Sequence, residues 1–221
     1  GVEAFELMKR IGMGFVLANI PDTREPLDST PPWYVLIELV SGEPGAAGSA
    51  LERLLTHAFE AGLITDAAIA QNESQVRDFW KLREEQSAAQ RPEGGGWKHD
   101  VSVPVSRIAD FLDEATTAVE RFHPGARVSA FGHVGDGNFH VFFILLPGDT
   151  ASWEKARAIN EAMIDHALSV GGTCTGEHGI GIGKRQALLR EHGAESVMTM
   201  RRIKDALDPA GLFNPGKIFL D

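Results

Sequence analysis

The chain has 221 residues, 43% of them hydrophobic and 24% charged, which is the composition of a folded globular protein and not of a disordered one. A formal net charge of −10 repels phosphate backbones and acidic lipid surfaces, so neither nucleic acid nor membrane is expected as a partner. The single cysteine, Cys174, excludes an intrachain disulfide, and no apolar run is long enough to span a bilayer; with no signal peptide visible, a cytoplasmic location is expected.

The opening GVEAFELMKR reads as the interior of a longer protein, with a helix over 1–14 suggested by Val2, Phe5, Met8 and Ile11. WYVLIELV (33–40) is a continuous apolar, β-branched run that predicts a buried strand. Residues 49–62 have the apolar spacing of an amphipathic helix, closed by Gly62. ITDAAIA predicts a short strand, 73–90 a helix, and RPEGGG (91–96) a mobile loop. WKHDVSVP predicts a strand ending at Pro104, after which Ser106 caps a helix that keeps Ile108, Phe111, Leu112, Ala115, Val119 and Phe122 on one face. A helix over about 151–170 ends at Gly171-Gly172, and a last helical region over about 184–207 breaks near Gly193.

Strands joined through helices, with at least one hairpin, predict an α+β fold: a mostly antiparallel sheet with helices on one side. Residues 1–183 form this unit, and 184–221 a small helical C-terminal subdomain.

SAFGHVGDGNFHVFFILLP (129–147) carries two histidines around an Asp-Gly pair. If Asp136-Gly137 is a two-residue type I′ turn, His133 faces His140 directly across the hairpin. Their Cβ atoms then lie about 4.5–5.5 Å apart, close enough for two imidazoles to share a metal. Two unrelated histidines in a half-buried sheet explain this stretch equally well. GGTCTGEHGIGIGK (171–184) offers a third ligand in Glu177 and a base in His178. Neither the Walker spacing nor the dinucleotide fingerprint fits these glycines.

Three stretches together, FGHVGDGNFH, GGTCTGEHGIGIGK and IKDALDPAGLFNPGKI, resemble the C-terminal domain of the FAD-linked oxidases, in that family's order and spacing. This group contains D-lactate dehydrogenase, the D-subunit of glycolate oxidase and D-2-hydroxyglutarate dehydrogenase, flavoenzymes of the vanillyl-alcohol-oxidase type. The resemblance covers essentially the whole chain and implies that an N-terminal FAD-binding domain lies outside it.

The resemblance also implies roles. His133, His140 and Glu177 match the metal ligands, and His178 the catalytic base. Arg83, Ser87 and Lys98 match the residues on the substrate carboxylate, and Asn214 the loop that approaches flavin and substrate. Relatives acting on 2-hydroxyglutarate tend to carry Asn two positions after the second histidine. Here Phe142 stands there, which favours a smaller hydroxy acid such as lactate or glycolate.

The expected cofactors are FAD and a divalent metal, zinc first and manganese or iron next. The expected partners are a small 2-hydroxy acid and an unnamed electron acceptor, with a homodimer left open. Two other readings compete: a metal-dependent hydrolase with a two-His, one-Glu zinc site, and a non-enzymatic metal-binding module. His57, His99, His123, His166 and His192 are read as structural or surface residues, and Cys174 as inert.

Overall fold

The computed structural model describes residues 1–94, 96–144 and 152–219, with side chains described except at 152–155. Five strands form one antiparallel sheet in the order β2-β1-β4-β5-β3. They are β1 (Val2–Lys9), β2 (Trp33–Leu39), β3 (Gly96–Ser102), β4 (Arg127–His133) and β5 (Asn138–Ile144). The helices are α1 (Arg10–Asn19), α2 (Ala46–Glu60), α3 (Glu73–Glu84), α4 (Gln86–Ala89), α5 (Ile108–Phe122), α6 (Ser152–Ser169) and α7 (Arg185–Leu207). The expected α+β class and antiparallel sheet are both present.

Helices cover both faces of the sheet, so the expectation of one covered side describes only half of it. On one face Ile108, Phe111, Leu112, Ala115 and Val119 of α5, and Ile159 and Met163 of α6, pack on Val128, Ala130, Phe139, Val141, Phe143 and Val101. On the other, Met13, Phe15 and Val16 of α1 and Leu82 and Ala89 of α3 and α4 pack on Met8, Tyr34, Phe131, Phe142 and Ile144. This explains why β5 is buried at every residue: its alternating side chains enter two different cores. Gly12 lets α1 sit close to the sheet, since a Cβ there would lie 2.2 Å from Gln86 Oε1 and 2.7 Å from Ser129 Oγ.

Several local expectations change. The first segment is a strand followed by a helix, because the inward positions of β1 alternate through Glu6 and Met8. The three-residue spacing of apolar residues was coincidental, and a buried glutamate concealed the period of two. ITDAAIA forms no strand. The helix expected over 73–90 is interrupted at Glu85, giving α3 and α4. Ser106 does not cap α5, which grows instead from a 3₁₀ turn over Val105–Arg107. Arg91–Glu93 is also a 3₁₀ turn, anchored through Glu93 to Arg127 at 2.6 Å and Asn19 at 2.7 Å, where a mobile loop was expected.

The predicted break at Gly193 is present within α7, at φ 75°. The first part of α7 packs on α6 through Ala187 and Ile164, with Cys174 of the glycine-rich loop in the same cluster.

Candidate active site

The site forms where one sheet face passes from apolar to polar. Cross-strand partners share a face, and three rows run side by side. Glu6, His133, Asn138 and Ser102 form one; Met8, Phe131, His140 and Asp100 the next; Ser129, Phe142 and Lys98 the third. The helices α1, α3 and α4 cover the apolar part of this face. The polar end is met by the glycine-rich loop that follows α6.

The hairpin differs from expectation. His133 faces Asn138, and His140 faces Phe131. The connection has four residues, Val134–Gly137, closed by a hydrogen bond from the Gly137 amide to the Val134 carbonyl at 3.3 Å. Gly137 alone in this loop takes a positive φ, 70°, so the type I′ turn at Asp136-Gly137 is not formed. The register moves by two residues, which preserves the face. The two histidines are therefore diagonal neighbours, and a ligand atom from each of His133, His140 and Glu177 lies within 4.8 Å of the others.

Asp100 organises the loop. Its carboxylate accepts the amides of Gly176 (3.2 Å), Glu177 (3.4 Å) and His178 (2.8 Å), the Asn138 side-chain amide (2.9 Å) and the Thr175 hydroxyl (3.3 Å). Burial works to raise the Asp100 carboxyl, but the bonds from Asn138 and the His178 amide, with the charges of His178 and Lys184, outweigh it and hold it below the usual range. Lys184 reaches back to the Asp100 carbonyl at 2.6 Å. Gly176 is required by proximity: a Cβ there would lie 1.5 Å from Asn138 Nδ2 and 2.6 Å from Asp100 Oδ1.

Held in this way, Glu177 Oε1 lies 3.0 Å from His140 Nε2. His178 stacks on His140 with ring centroids 5.1 Å apart, and its Nδ1 is 3.6 Å from Asp100 Oδ2. Asp100, His140 and His178 form a second close group that shares His140 with the first. Burial lowers the His140 pKa, against the opposing charges of Asp100 and Glu177, which favours the neutral imidazole with its lone pair. Imidazole nitrogens and a half-exposed carboxylate suit a divalent metal.

Arg83 is buried and bonded through Nε to Glu6 at 2.7 Å, with its guanidinium 4.8 Å above the Phe131 ring. Lys98 donates to Ser87 Oγ at 2.9 Å and lies 5.0 Å over the Phe142 ring. Burial, then the charge of Arg91, lowers the Lys98 pKa. The expected substrate residues Ser87, Lys98 and Phe142 thus meet beside His140, whose ring stacks on Phe142 at 6.3 Å.

Asn214 is exposed, at φ 47°. No hydrogen bond joins its side chain to the histidine cluster among the described residues. Its loop is tied to the glycine loop by the Ile218 amide and the Gly181 carbonyl, at 2.9 Å.

Sequence reasoning missed Glu6, Asp100 and Asn138. Glu6 and Asp100 sit inside the stretches AFELM and WKHDVSVP, outside the three motifs, and nothing local in the sequence marks them as buried.

Comparison with known proteins bears on the family and the fold. The family described as FAD linked oxidases, C-terminal domain, matches residues 1–218. The mitochondrial cytochrome-type D-lactate dehydrogenase of Kluyveromyces lactis is 40% identical over 162 residues, covering 70% of this chain and 27% of that protein. The D-2-hydroxyglutarate dehydrogenase of Xanthomonas citri pv. viticola is 34% identical over 224 residues, covering 99% of this chain and 46% of that protein. The chain therefore spans less than half the length of these relatives. A 4-ethylphenol oxidase from Gulosibacter chungangensis, solved with isoeugenol, shares the fold with a TM-score of 0.65 at 16% identity, over 98% of this chain and 47% of that one. No helix among the described residues is long and apolar enough to cross a membrane. With a match from the first residue to Ile218, the chain belongs to the family of FAD-linked oxidase C-terminal domains.

Proposed function

We propose that this chain is the substrate- and metal-binding part of an FAD-dependent dehydrogenase that oxidises a small D-2-hydroxy acid, lactate- or glycolate-like, to the 2-oxo acid. One observation carries the proposal: His133, His140 and Glu177 converge within 4.8 Å on the same sheet face as Lys98 and Phe142. FAD is held mainly by an N-terminal unit outside these residues, with the Asn214 loop reaching toward it. Residues 1–183 carry the site, and 184–221 form a helical appendage that holds the Asn214 loop.

The chemistry expected of the bound groups is polarisation of a hydroxyl oxygen by zinc, or by manganese or iron, and acceptance of a hydride by FAD. The chain's own residues do the positioning. Arg83 and Lys98 supply positive charge for a carboxylate, with Ser87 adding a hydroxyl. His178, half-exposed and stacked on His140, takes the substrate hydroxyl proton. Phe142 gives the site an apolar wall beneath Lys98, which suits a short side chain better than a second carboxylate. The family match favours this reading over a hydrolase or a plain metal-binding module.

The test uses the flavin-containing protein that carries this chain. His133→Ala and His140→Ala should each lower zinc content. His178→Ala should keep zinc and abolish turnover of D-lactate or glycolate. Equal zinc loss in all three variants, or none in the first two, would refute the roles.

A further inference from the structure

Glu6 is one of the least exposed ionisable groups, at 3%, and its two oxygens have different partners. Oε1 lies 2.7 Å from His133 Nδ1, and Oε2 accepts from Arg83 Nε at 2.7 Å. Register makes the first contact robust, because Glu6 and His133 are directly opposed across β1 and β4. An ionised carboxylate only accepts, so the His133 nitrogen facing it must carry the proton. In a neutral imidazole this leaves the lone pair on Nε2. Carboxylates that fix a histidine in this way orient it for metal and raise its basicity. Arg83 then lies over Phe131, which packs on His140 at 5.2 Å.

We propose that Glu6 is a positioning residue that sets two parts of the site from one carboxylate. It holds His133 as the Nδ1–H tautomer with Nε2 toward the cation position, and it holds the Arg83 guanidinium on the anion side. This rests on the cation reading of the histidine cluster given above.

The test is zinc titration of the whole chain, read by calorimetry, together with ¹⁵N imidazole spectra. The variants are Glu6→Gln, Arg83→Met, the pair together, and His133→Ala and His140→Ala as references. Gln has nearly the same size, but its amide cannot accept from both neighbours. Glu6→Gln should weaken zinc binding about 10–100-fold, the usual effect of losing such a partner. The loss should persist in the Arg83→Met background. Wild-type spectra should show His133 protonated on Nδ1.

If the loss vanishes with Arg83→Met, Glu6 serves only to neutralise Arg83 and the proposal falls. It also falls if wild-type His133 carries its proton on Nε2, a result independent of whether any variant folds. If His133→Ala and His140→Ala leave zinc affinity unchanged, the cation reading itself fails. If they lower it and Glu6→Gln does not, only the role of Glu6 is lost.

Discussion

The Asp100 carboxylate grips the backbone of His178: Oδ2 accepts the His178 amide hydrogen at 2.8 Å. A strand residue thereby fixes a loop residue 78 positions away. Asp100→Asn should break this grip, since an amide places donors against the loop's own N–H groups. The expected cost is about 1–3 kcal/mol. Amides 176–178 should lose hydrogen-exchange protection, and zinc affinity should fall with them. Unchanged exchange in this loop would show that Asp100 is not its anchor.

Gly176→Ala has no room, with Asn138 and Asp100 in the way, and should destabilise by about 1–3 kcal/mol through overpacking. Gly183→Ala is the control: nothing lies within 4 Å of a Cβ there, and its φ is not positive. Thermal melts of the two variants should separate clearly. Equal midpoints would contradict the close packing of this loop.

Arg83→Ala leaves the buried Glu6 carboxylate without its cation. The expected loss is about 3–5 kcal/mol, the usual result of breaking a buried pair from one side. Urea unfolding measures it, and a change under about 1 kcal/mol would mark the pair as a weak surface bridge instead.

These predictions rest on contacts of very different legibility. The apolar stripe of α5 and the break at Gly193 could be read directly, because periodicity and a glycine are local signals. The pairing of His133 with His140 was read on the right face and in the wrong register. The count between them allows both a two-residue and a four-residue connection; the four-residue one forms, with the Val103 amide donating to the Gly137 carbonyl at 3.0 Å. Glu6 and Asp100 were invisible for a different reason. A glutamate in AFELM reads as a solvent-facing residue until the fold brings Arg83 and His133 to it. The three motifs made the family readable, whereas Glu6 and Asp100, which contact the motif residues, lie outside those stretches.

Asp208 gives a pH signature away from the site. It contacts Lys204 and accepts the amides of Phe213 and Leu212, each at 2.9 Å. Lys204 first, then the Phe213 amide, lowers its pKa to about 2. A depressed carboxyl stabilises the fold above its unfolded pKa of about 4 and loses that contribution as pH falls toward 2. The turn over 208–213 should therefore open between about pH 4 and pH 2, followed by NMR of the Leu212 and Phe213 amides. Asp208→Asn should flatten the response.

Cys174 is fully buried, and burial, reinforced by Glu191, pushes its thiol up to about 12. The thiolate that reacts with disulfide reagents is nearly absent at pH 8. Ellman's reagent should label the native chain negligibly and the urea-unfolded chain with one equivalent. Rapid native labelling would contradict this burial.

The diagonal placement of His133 and His140 has a consequence for insertions and deletions. Side chains alternate along β5, so a one-residue slip of its pairing with β4 would turn His140 toward the α5 core, where Phe139 and Val141 belong. A slip of two would return it to the same face, displaced along the strand. A length change that the connection Val134–Gly137 absorbs should therefore leave the site in place, whereas one that slips the pairing by an odd number of residues should abolish it.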